Sequence, residues 1–206
     1  MARKPLTKPR KNASQDRSRA TVDALVEATA RILVKEGYEK ASTNRIAEAA
    51  GVSVGSLYQY FPSKEALVAA VIDRHNQDTM RLVRSALSEV AGQPVQRVIP
   101  KMLAVAIQAH RINPKLHRVL TEQIPRTGQL ENVEAFNREY FSLFRNYLEN
   151  CSDTLRPKDL GLATYVCVSS MEAVAHNAVL RNEKLSDEQA EALVNDASRM
   201  IVGYLV

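Results

Sequence analysis

The chain has few of the residues that interrupt helices and lacks the patterns that build sheets. Its 206 residues include seven glycines and eight prolines, and no segment shows a sustained alternation of β-branched and polar residues. Strands with one buried face require such alternation, and the turns between strands use glycine and proline. These absences predict an all-α fold, and a chain of this length forms one or two domains with a sizeable core.

Long apolar runs and paired cysteines are also missing. No stretch approaches the roughly 20 apolar residues of a transmembrane helix. The N-terminus, MARKPLTKPRKNASQDRSR, is basic but lacks the apolar segment of a secretory signal. Cys151 and Cys167 form neither a CxxC pair nor a metal-binding spacing. We therefore expect a cytoplasmic protein with reduced thiols and no membrane segment.

Sequence signals of catalysis are weak, so an enzyme is not predicted. The chain has no phosphate-binding glycine loop and no convergent set of cysteine, histidine or carboxylate residues. His110 and His117 are separated by a predicted helix break at Asn113-Pro114, so their spacing is not that of a metal pair. No catalytic residue, metal ligand or cofactor is predicted.

The net charge of +5 is unevenly placed along the chain. Residues 1–20 contain seven basic residues and one acidic residue, which leaves a net charge of −1 for the other 186. We predict that residues 1–15 form a disordered basic arm. Such an arm can gather phosphates or enter a minor groove, and it can equally be a solvated leader. The sequence leaves both interpretations open.

The stretch from Ser42 to Lys64 has the pattern of two short helices joined by a tight turn. Ser42 and Ser53 can each cap a helix, because a serine hydroxyl accepts from a backbone N–H in the first turn. Gly51 stands where the first helix ends, a position that usually requires a positive φ. Pro62 cannot continue the second helix. This is the layout of a helix-turn-helix, whose second helix enters the DNA major groove.

Apolar residues at helical spacing predict more helices on both sides of this motif. One helix is predicted before the motif, from about Asp16 to Lys35, and one after it, from Ser63 to about Val90. Residues 91–94, AGQP, interrupt the pattern. Further helices are predicted at residues 95–112, 114–123, 131–151, 158–181 and 186–205. The total is about nine helices.

Residues 21–71 carry an ordered series of matches to a known protein family. The matched residues are Gly37-Tyr38, Ser42, Ile46-Ala47, Ala50-Gly51-Val52-Ser53, Gly55-Ser56-Leu57-Tyr58, Tyr60-Phe61 and Ser63-Lys64-Glu65 with Leu67. This series resembles the N-terminal domain of the tetracycline-repressor (TetR) family. The rest of the chain is similar to the family only in length and helix count. The resemblance implies a three-helix DNA-binding domain at 16–77, with its motif at 42–61, and an all-α bundle at 78–206 for effector binding and dimerisation.

The function implied by the resemblance is transcriptional regulation. A repressor of this kind binds a palindromic double-stranded operator as a homodimer and is released by a small-molecule effector, which the sequence does not identify. The alternative is an architectural or protein-partner-controlled DNA-binding regulator with no small-molecule effector. The operator, the regulated genes and the direction of regulation do not follow from the sequence.

The resemblance also implies DNA-contact roles at matched positions. Val54 can touch a thymine methyl group, and Ser56 and Gln59 can hydrogen-bond base edges. Gly55 lets the backbone approach DNA, although crowding inside the domain is the alternative reason for a glycine there. The complete set of predicted DNA contacts is Thr43, Asn44, Arg45, Ser53, Val54, Gly55, Ser56, Tyr58, Gln59, Tyr60 and Lys64.

In the second domain, an effector pocket is expected among the middle helices. Its predicted lining residues are Met102, His110, His117, Phe136, Tyr140, Phe144, Tyr165 and His176, for which an ordinary core role is the alternative. Small residues on the last two helices permit close approach and favour a four-helix dimer seam. The predicted seam residues are Val166, Ser170, Val174, Ala178, Leu193, Val194, Ala197 and Ile201, which could instead complete the core of one chain.

Overall fold

The computed structural model describes residues 16–124, 130–151, 154–181 and 185–206. Regular structure in these ranges is entirely helical, which confirms the all-α prediction. Nine helices fall within the described residues: α1 (Asp16–Glu36), α2 (Thr43–Ala50), α3 (Val54–Tyr60), α4 (Lys64–Glu89), α5 (Val95–Ile112), α6 (Pro114–Glu122), α7 (Leu130–Asn150), α8 (Leu160–Arg181) and α9 (Asp187–Leu205). The predicted basic arm at 1–15 lies outside the described residues.

The helix ends follow from local capping chemistry. Ser42 Oγ accepts from the backbone N–H of Arg45 at 3.4 Å. Gly51 ends α2 with φ of 68°, a conformation that costs glycine no steric penalty. At α9, Ser186 and Gln189 form the reciprocal pair of a capping box, with each side chain bonded to the other residue's backbone N–H. The predicted caps are confirmed because each depends only on residues within one turn.

The start of α8 differs from the prediction. The sequence pattern placed it at Lys158, whereas the helix begins at Leu160. Asp159 caps it, with Oδ1 accepting from the N–H of Leu162 at 2.9 Å. An aspartate at this position satisfies an otherwise unpaired N–H of the first turn, so the helix begins after it.

The described residues group into two compact units. The first contains the described residues within 1–77 and 115–134, and the second contains those within 78–114 and 135–206. The first unit thus holds α6 as well as α1, α2 and α3, and α4 contributes its first half to this unit. The domain limits of 16–77 and 78–206 stay a prediction, and the observed grouping differs from them in the placement of α6.

Each unit has its own apolar core. The core of the first unit includes the fully buried Leu25, Leu33, Ile46, Leu57 and Phe61. Residues from α6, among them Leu116 and Val119, join the same core. These contacts fix α2 and α3 against α1 and thereby position the predicted reading surface.

The second unit is built around α5, which packs against α8 and α9. Its buried residues include Ile99, Leu103, Phe144, Cys167 and Met171. The backbone N–H of Arg156 donates to the carbonyl of Leu205 at 2.8 Å, which ties the segment before α8 to the end of α9. Within the described residues, no helix is both long and apolar enough to cross a membrane.

Candidate nucleic-acid interface

The helix-turn-helix presents a polar surface because its apolar side chains are used inside the first unit. Ile46 and Ala47 on α2 are buried, as are Leu57 on α3 and Phe61 directly after it. In a short helix, burial of one face leaves the opposite face for solvent or a partner. The outward residues of α3 are therefore presented on a fixed support.

The exposed surface of α3 contains most of the predicted base-facing residues. Val54, Gly55, Tyr58 and Gln59 are exposed, and Ser56 is half-buried. Val54 offers an apolar side chain suited to a thymine methyl group, and Gln59 offers an amide suited to a base edge. The structure brings these residues to one surface, and their contacts to DNA stay a prediction.

Ser53 has a structural role in capping α3. Its Oγ accepts from the N–H of Ser56 at 3.0 Å and lies 2.8 Å from the Ser56 hydroxyl. The two hydroxyls are thus already bonded to each other at the N-terminus of the recognition helix. A DNA contact by either one would reorganise this pair.

Residues 51–55, GVSVG, match the G-x-S-x-G pattern that marks the nucleophile elbow of α/β hydrolases. That elbow needs a strand before the serine and a helix after it. Here a helix, α2, precedes the pattern, and Ser53 is the cap of α3. The match therefore does not indicate an acyl-transfer nucleophile.

Gly55 is exposed and its surroundings are open. A Cβ added there would meet Ser53 Oγ at 3.9 Å, an ordinary van der Waals contact. Crowding by neighbouring residues therefore does not account for the glycine. The remaining explanation from the sequence, close approach of the backbone to DNA, becomes the stronger one.

A hydrogen bond joins α2 and α3 on their exposed side. Thr43 Oγ1 and the Tyr58 hydroxyl lie 3.1 Å apart. Thr43 is the first residue of α2, where backbone N–H groups favour an anion. Two hydroxyls beside a helix N-terminus are suitable donors for one phosphate oxygen, which accords with the place of both residues among the predicted DNA contacts.

Arg45 is bonded within the chain. Its guanidinium donates to Glu36 Oε1 at 2.7 Å and also pairs with the second carboxylate oxygen. The side chain of Arg45 is half exposed, whereas that of Glu36 is 18% exposed. Glu36 therefore holds Arg45 from the end of α1. Glu36 could not be identified from the sequence, because nothing in the local pattern indicates a pairing across nine residues.

Lys64 also has an internal partner. Its Nζ donates to the carbonyl of Tyr38 at 3.1 Å and lies 3.9 Å from the centroid of the Tyr38 ring. The Tyr38 hydroxyl donates to Glu65 at 3.4 Å, and burial together with the charge of Glu65 raises the pKa of Tyr38. Lys64 is thus positioned by Tyr38 before any phosphate contact is made.

Gln123, just after α6, contacts the turn that follows α1. Its Oε1 accepts from the backbone N–H of Tyr38 at 3.2 Å. The same oxygen would lie 2.7 Å from a Cβ at Gly37, whose φ is +81°. This contact spans 85 residues, so no sequence pattern could have indicated it. Gly37 is required here both by its backbone conformation and by the space that Gln123 occupies.

The predicted effector-pocket residues occupy different environments. Met102, Tyr140 and Phe144 are buried in the second unit, and Phe136, His110 and His176 are half-buried there. His117 is buried in the first unit, with its ring centroid 5.9 Å from that of His75. Tyr165 is 61% exposed, so it lies on the surface of its unit. Effector binding by this set stays a prediction.

The predicted dimer residues are divided between surface and core. Val166 is exposed and Ser170, Val174, Ala178, Leu193 and Val194 are half-buried, whereas Ala197 and Ile201 are buried in the core of the second unit. Several large apolar side chains that are not among the predicted dimer residues are exposed on α8 and α9. These are Leu162, Tyr165, Met200 and Tyr204. Together with Val166 they are called the exposed apolar face below.

Comparison with protein families gives two matches that together extend from α1 to α9. A family model described as "Bacterial regulatory proteins, tetR family" matches residues 25–71. A second, described as "Tetracyclin repressor-like, C-terminal domain", matches residues 94–205, which is more than half of the chain.

Curated relatives match over part of their length. The nucleoid occlusion factor SlmA of Haemophilus ducreyi is 30% identical over 117 residues, covering 57% of this chain and 55% of the relative. The transcriptional repressor KstR of Mycolicibacterium smegmatis is 36% identical over 98 residues, covering 47% of each chain. The chain thus spans about half the length of these curated relatives.

Solved structures with the same fold align over nearly the whole chain. NalD, the secondary repressor of the MexAB-OprM multidrug efflux pump in Pseudomonas aeruginosa, aligns with a TM-score of 0.73 at 19% identity, over 93% of this chain and 98% of that one. FadR from Bacillus subtilis in complex with stearoyl-CoA aligns with a TM-score of 0.69 at 15% identity, over 89% and 99%. The resemblance found in residues 21–71 is confirmed, and the chain belongs to the tetR family of DNA-binding bacterial transcription regulators.

Proposed function

We propose that this protein is a repressor that binds a palindromic operator as a homodimer and leaves it when a small-molecule effector binds. DNA binding and transcription regulation come with the family. Dimerisation, the operator symmetry, repression and the effector are the parts proposed here. Repression of a promoter accords with the names of two similar proteins, the repressors KstR and NalD.

The observation that carries the proposal is the exposed apolar face of α8 and α9. Leu162 is 57% exposed, Tyr165 61% and Met200 59%. Large apolar side chains grouped on adjacent helices are a common feature of surfaces that pack against another protein. A second copy of the chain can cover this face by a two-fold arrangement, in which the same residues contact each other from both sides.

In a two-fold dimer, the recognition helices of both chains can bind the same operator. Two copies of α3 would enter successive major grooves about 34 Å apart, and the operator would repeat its half-site with inverted symmetry. Exposed Gly55 and Gln59 on α3 supply close approach and a base-reading amide. Because each half-site is short, the spacing between the two copies contributes to specificity.

The effector is proposed to bind in the second unit. Several aromatic residues lie along α7 of this unit, and the ring centroids of Phe136 and Tyr140 are 6.2 Å apart in a stacked arrangement. The Bacillus subtilis relative in fold was solved with stearoyl-CoA, which supports a small-molecule role for a domain of this architecture. The effector would release DNA by favouring a dimer in which the two recognition helices no longer match successive grooves.

The test combines mass and DNA binding on the full chain. Light scattering measures the oligomeric state, and footprinting with the promoter region upstream of the protein's own gene locates the operator. We expect a dimer and a protected inverted repeat with half-sites one helical turn apart. A monomeric protein that protects a single asymmetric site would contradict the proposal, as would the absence of protected sites at this and neighbouring promoters.

A second candidate function is favoured by the similarity to SlmA. That relative is named a nucleoid occlusion factor, so a DNA-binding role outside promoter control, with no small-molecule effector, is consistent with this chain. Genome-wide footprinting separates the two functions. A few protected promoter sites support the repressor, whereas many dispersed sites outside promoters, with no thermal shift across a metabolite library, support the second function.

A further inference from the structure

The turn between α1 and α2 is bonded to a side chain from a distant part of the chain. The N–H of Gly37 closes α1 on the carbonyl of Leu33 at 3.0 Å, which is the single-bond ending that an αL residue gives a helix. The next N–H, that of Tyr38, donates instead to Gln123 Oε1 at 3.2 Å. Tyr38 is buried, so its N–H depends on a protein acceptor more than an exposed N–H does.

The carbonyl of Tyr38 accepts two hydrogen bonds. One comes from the backbone N–H of Ala41 at 3.2 Å, within the turn, and the other from Lys64 Nζ at 3.1 Å. The same ammonium group lies 3.9 Å from the centroid of the Tyr38 ring. Lys64 therefore contacts Tyr38 through both its carbonyl and its ring, and a shift of Tyr38 would shift the ammonium group.

Gln123 is held in place because the core of the first unit holds α6. Leu116 and Val119 on α6 are buried in that core, as is Ile124 directly after Gln123. The backbone N–H of Gln123 donates to the carbonyl of Val119 at 3.0 Å, so the residue still follows the backbone of the helix. The amide of Gln123 is therefore carried by a segment that core packing fixes.

Lys64 begins α4 and is a charged member of the predicted DNA contacts. An ammonium group has three N–H donors, so its bond to the Tyr38 carbonyl leaves donors for a phosphate oxygen. A long side chain that is mobile before binding loses conformational freedom when it contacts a partner, and this loss weakens binding. Contacts that already hold the ammonium group in the free protein reduce the loss.

We propose that Gln123 is a positioning residue for DNA binding: it fixes the backbone of Tyr38, and Tyr38 in turn holds the ammonium group of Lys64 for a phosphate contact. All three residues belong to the first unit. The inference rests on the DNA-binding part of the proposed function, and on neither repression nor an effector. It makes α6, which lies outside the predicted DNA-binding domain at 16–77, a part of the DNA-binding machinery.

The bond itself is tested without DNA, by hydrogen exchange of the Tyr38 amide measured by NMR on the full chain. Gln123→Met keeps the length of the side chain but has only a weak acceptor, so it should speed this exchange about fivefold, as expected for one net hydrogen bond. Gln123→Glu keeps an acceptor oxygen and should leave the exchange slow. The matched control is Gln77→Met, at an exposed position of α4 in the same unit. Equal exchange rates in Gln123→Met and the unchanged protein would overturn the proposal.

The effect on DNA is measured by salt titrations with a duplex of unrelated sequence, because a phosphate contact does not depend on the base sequence. We expect Gln123→Met to weaken binding about fivefold, the equivalent of one hydrogen bond. It should also lower the slope of log affinity against log salt by part of the roughly 0.9 per chain expected for Lys64→Ala. Gln77→Met should match the unchanged protein in both quantities. Lower stability alone would leave the slope unchanged, and circular dichroism verifies that each variant folds.

The double variant Gln123→Met/Lys64→Ala tests whether the two residues act together. It should bind no more weakly than Lys64→Ala and have the same slope, because residues that act through one contact are not additive. Fully additive losses would overturn the proposal, as would a slope that either single variant leaves unchanged. Failure of the proposed repressor looks different, because the unchanged protein would then protect no inverted repeat while the salt slopes of these variants would still differ.

Discussion

The helix pairs α2–α3 and α8–α9 both expose side chains from adjacent helices, but the exposed chemistry is opposite. The first pair presents hydroxyls, an amide, an arginine and a glycine, and the second presents leucine, tyrosine, valine and methionine. A polar surface beside a helix N-terminus suits a hydrated, charged partner whose binding falls with salt. An apolar surface suits a partner that excludes water and is little affected by salt. The two surfaces are therefore expected to respond to different conditions and to different substitutions.

The largest expected effect comes from placing a charge on the exposed apolar face. Tyr165→Glu should convert the dimer into monomers and lower operator affinity about 100-fold. A dimer that binds two half-sites at once can have an affinity about 10²–10⁴ times that of one chain for one half-site. Light scattering and a mobility-shift titration measure the two effects.

The control is Asn146→Glu, which adds the same charge at an exposed position of α7. It should leave both the mass and the operator affinity unchanged. If Tyr165→Glu stays dimeric and loses only its response to effector, then Tyr165 lines a pocket and the apolar face is not the seam.

Gly55→Ala tests whether the backbone of α3 comes close to DNA. The substitution should stabilise the fold by roughly 0.5–1 kcal/mol, since alanine loses less conformational freedom in a helix than glycine, and its methyl group has room in the free protein. Operator affinity should nevertheless fall about tenfold, because an added methyl group in a close contact costs about 1–3 kcal/mol.

Thermal unfolding and titration with the operator give these two quantities for Gly55→Ala. Gly203 is exposed and has open space in the second unit, so Gly203→Ala is the control for the stability gain. Because Gly203 is next to Tyr204 of the exposed apolar face, light scattering must first show that this variant keeps the mass of the unchanged protein. If the operator affinity of Gly55→Ala is unchanged, the backbone of α3 does not come close to DNA at Gly55.

Gln59→Ala should change the sequence preference of the reading surface. The loss should be about 1–3 kcal/mol at one base pair of each half-site and small elsewhere, as expected for an amide that bonds a base edge. Binding to a randomised operator library measures this, with Gln108→Ala, an exposed glutamine on α5, as the control. A uniform loss for all operators would show that Gln59 does not read a base.

The smallest expected effect is that of Lys64→Ala. Loss of one phosphate contact should reduce the slope of log affinity against log salt by about 0.9 for each chain. Loss of the contact with the Tyr38 ring should also lower stability by about 0.5–1 kcal/mol. Salt titrations and thermal unfolding separate the two, with Lys158→Ala in the second unit as the control. Reduced stability with an unchanged slope would mean that Lys64 only supports Tyr38.

The fold and the candidate interface were predictable from the sequence to different degrees. The helix-turn-helix was found because its signals are local: Ser42, Gly51 and Ser53 each act within one turn of their own positions. The partners of Arg45 and Lys64 were not found, because Glu36 and Tyr38 come from the end of α1 and the turn after it. A charged residue that is free in solvent and one that pairs with another helix have the same local sequence pattern. Only the packing of the two helices distinguishes them.

The second unit shows the same limit on a larger scale. Apolar spacing correctly predicted that α8 and α9 are helices, but not which residues face outward. Ala197 and Ile201 were predicted in the seam and are buried in the core, whereas Leu162 and Met200 are exposed. Both sides of α8 carry apolar residues, so periodicity alone could not assign one side to the core.

The sequence by itself determined the nine helices of the described residues, most of their caps and the family, because each follows from contacts within a few residues or from an ordered local motif. Only the tertiary structure decided which side chains contact each other across helices and which ones stay exposed. It paired Arg45 with Glu36, brought His110 beside His176, and left Tyr165 and Met200 exposed. The physical reason is that these outcomes depend on the packing of helices that are distant in the chain, which side-chain periodicity constrains but does not fix.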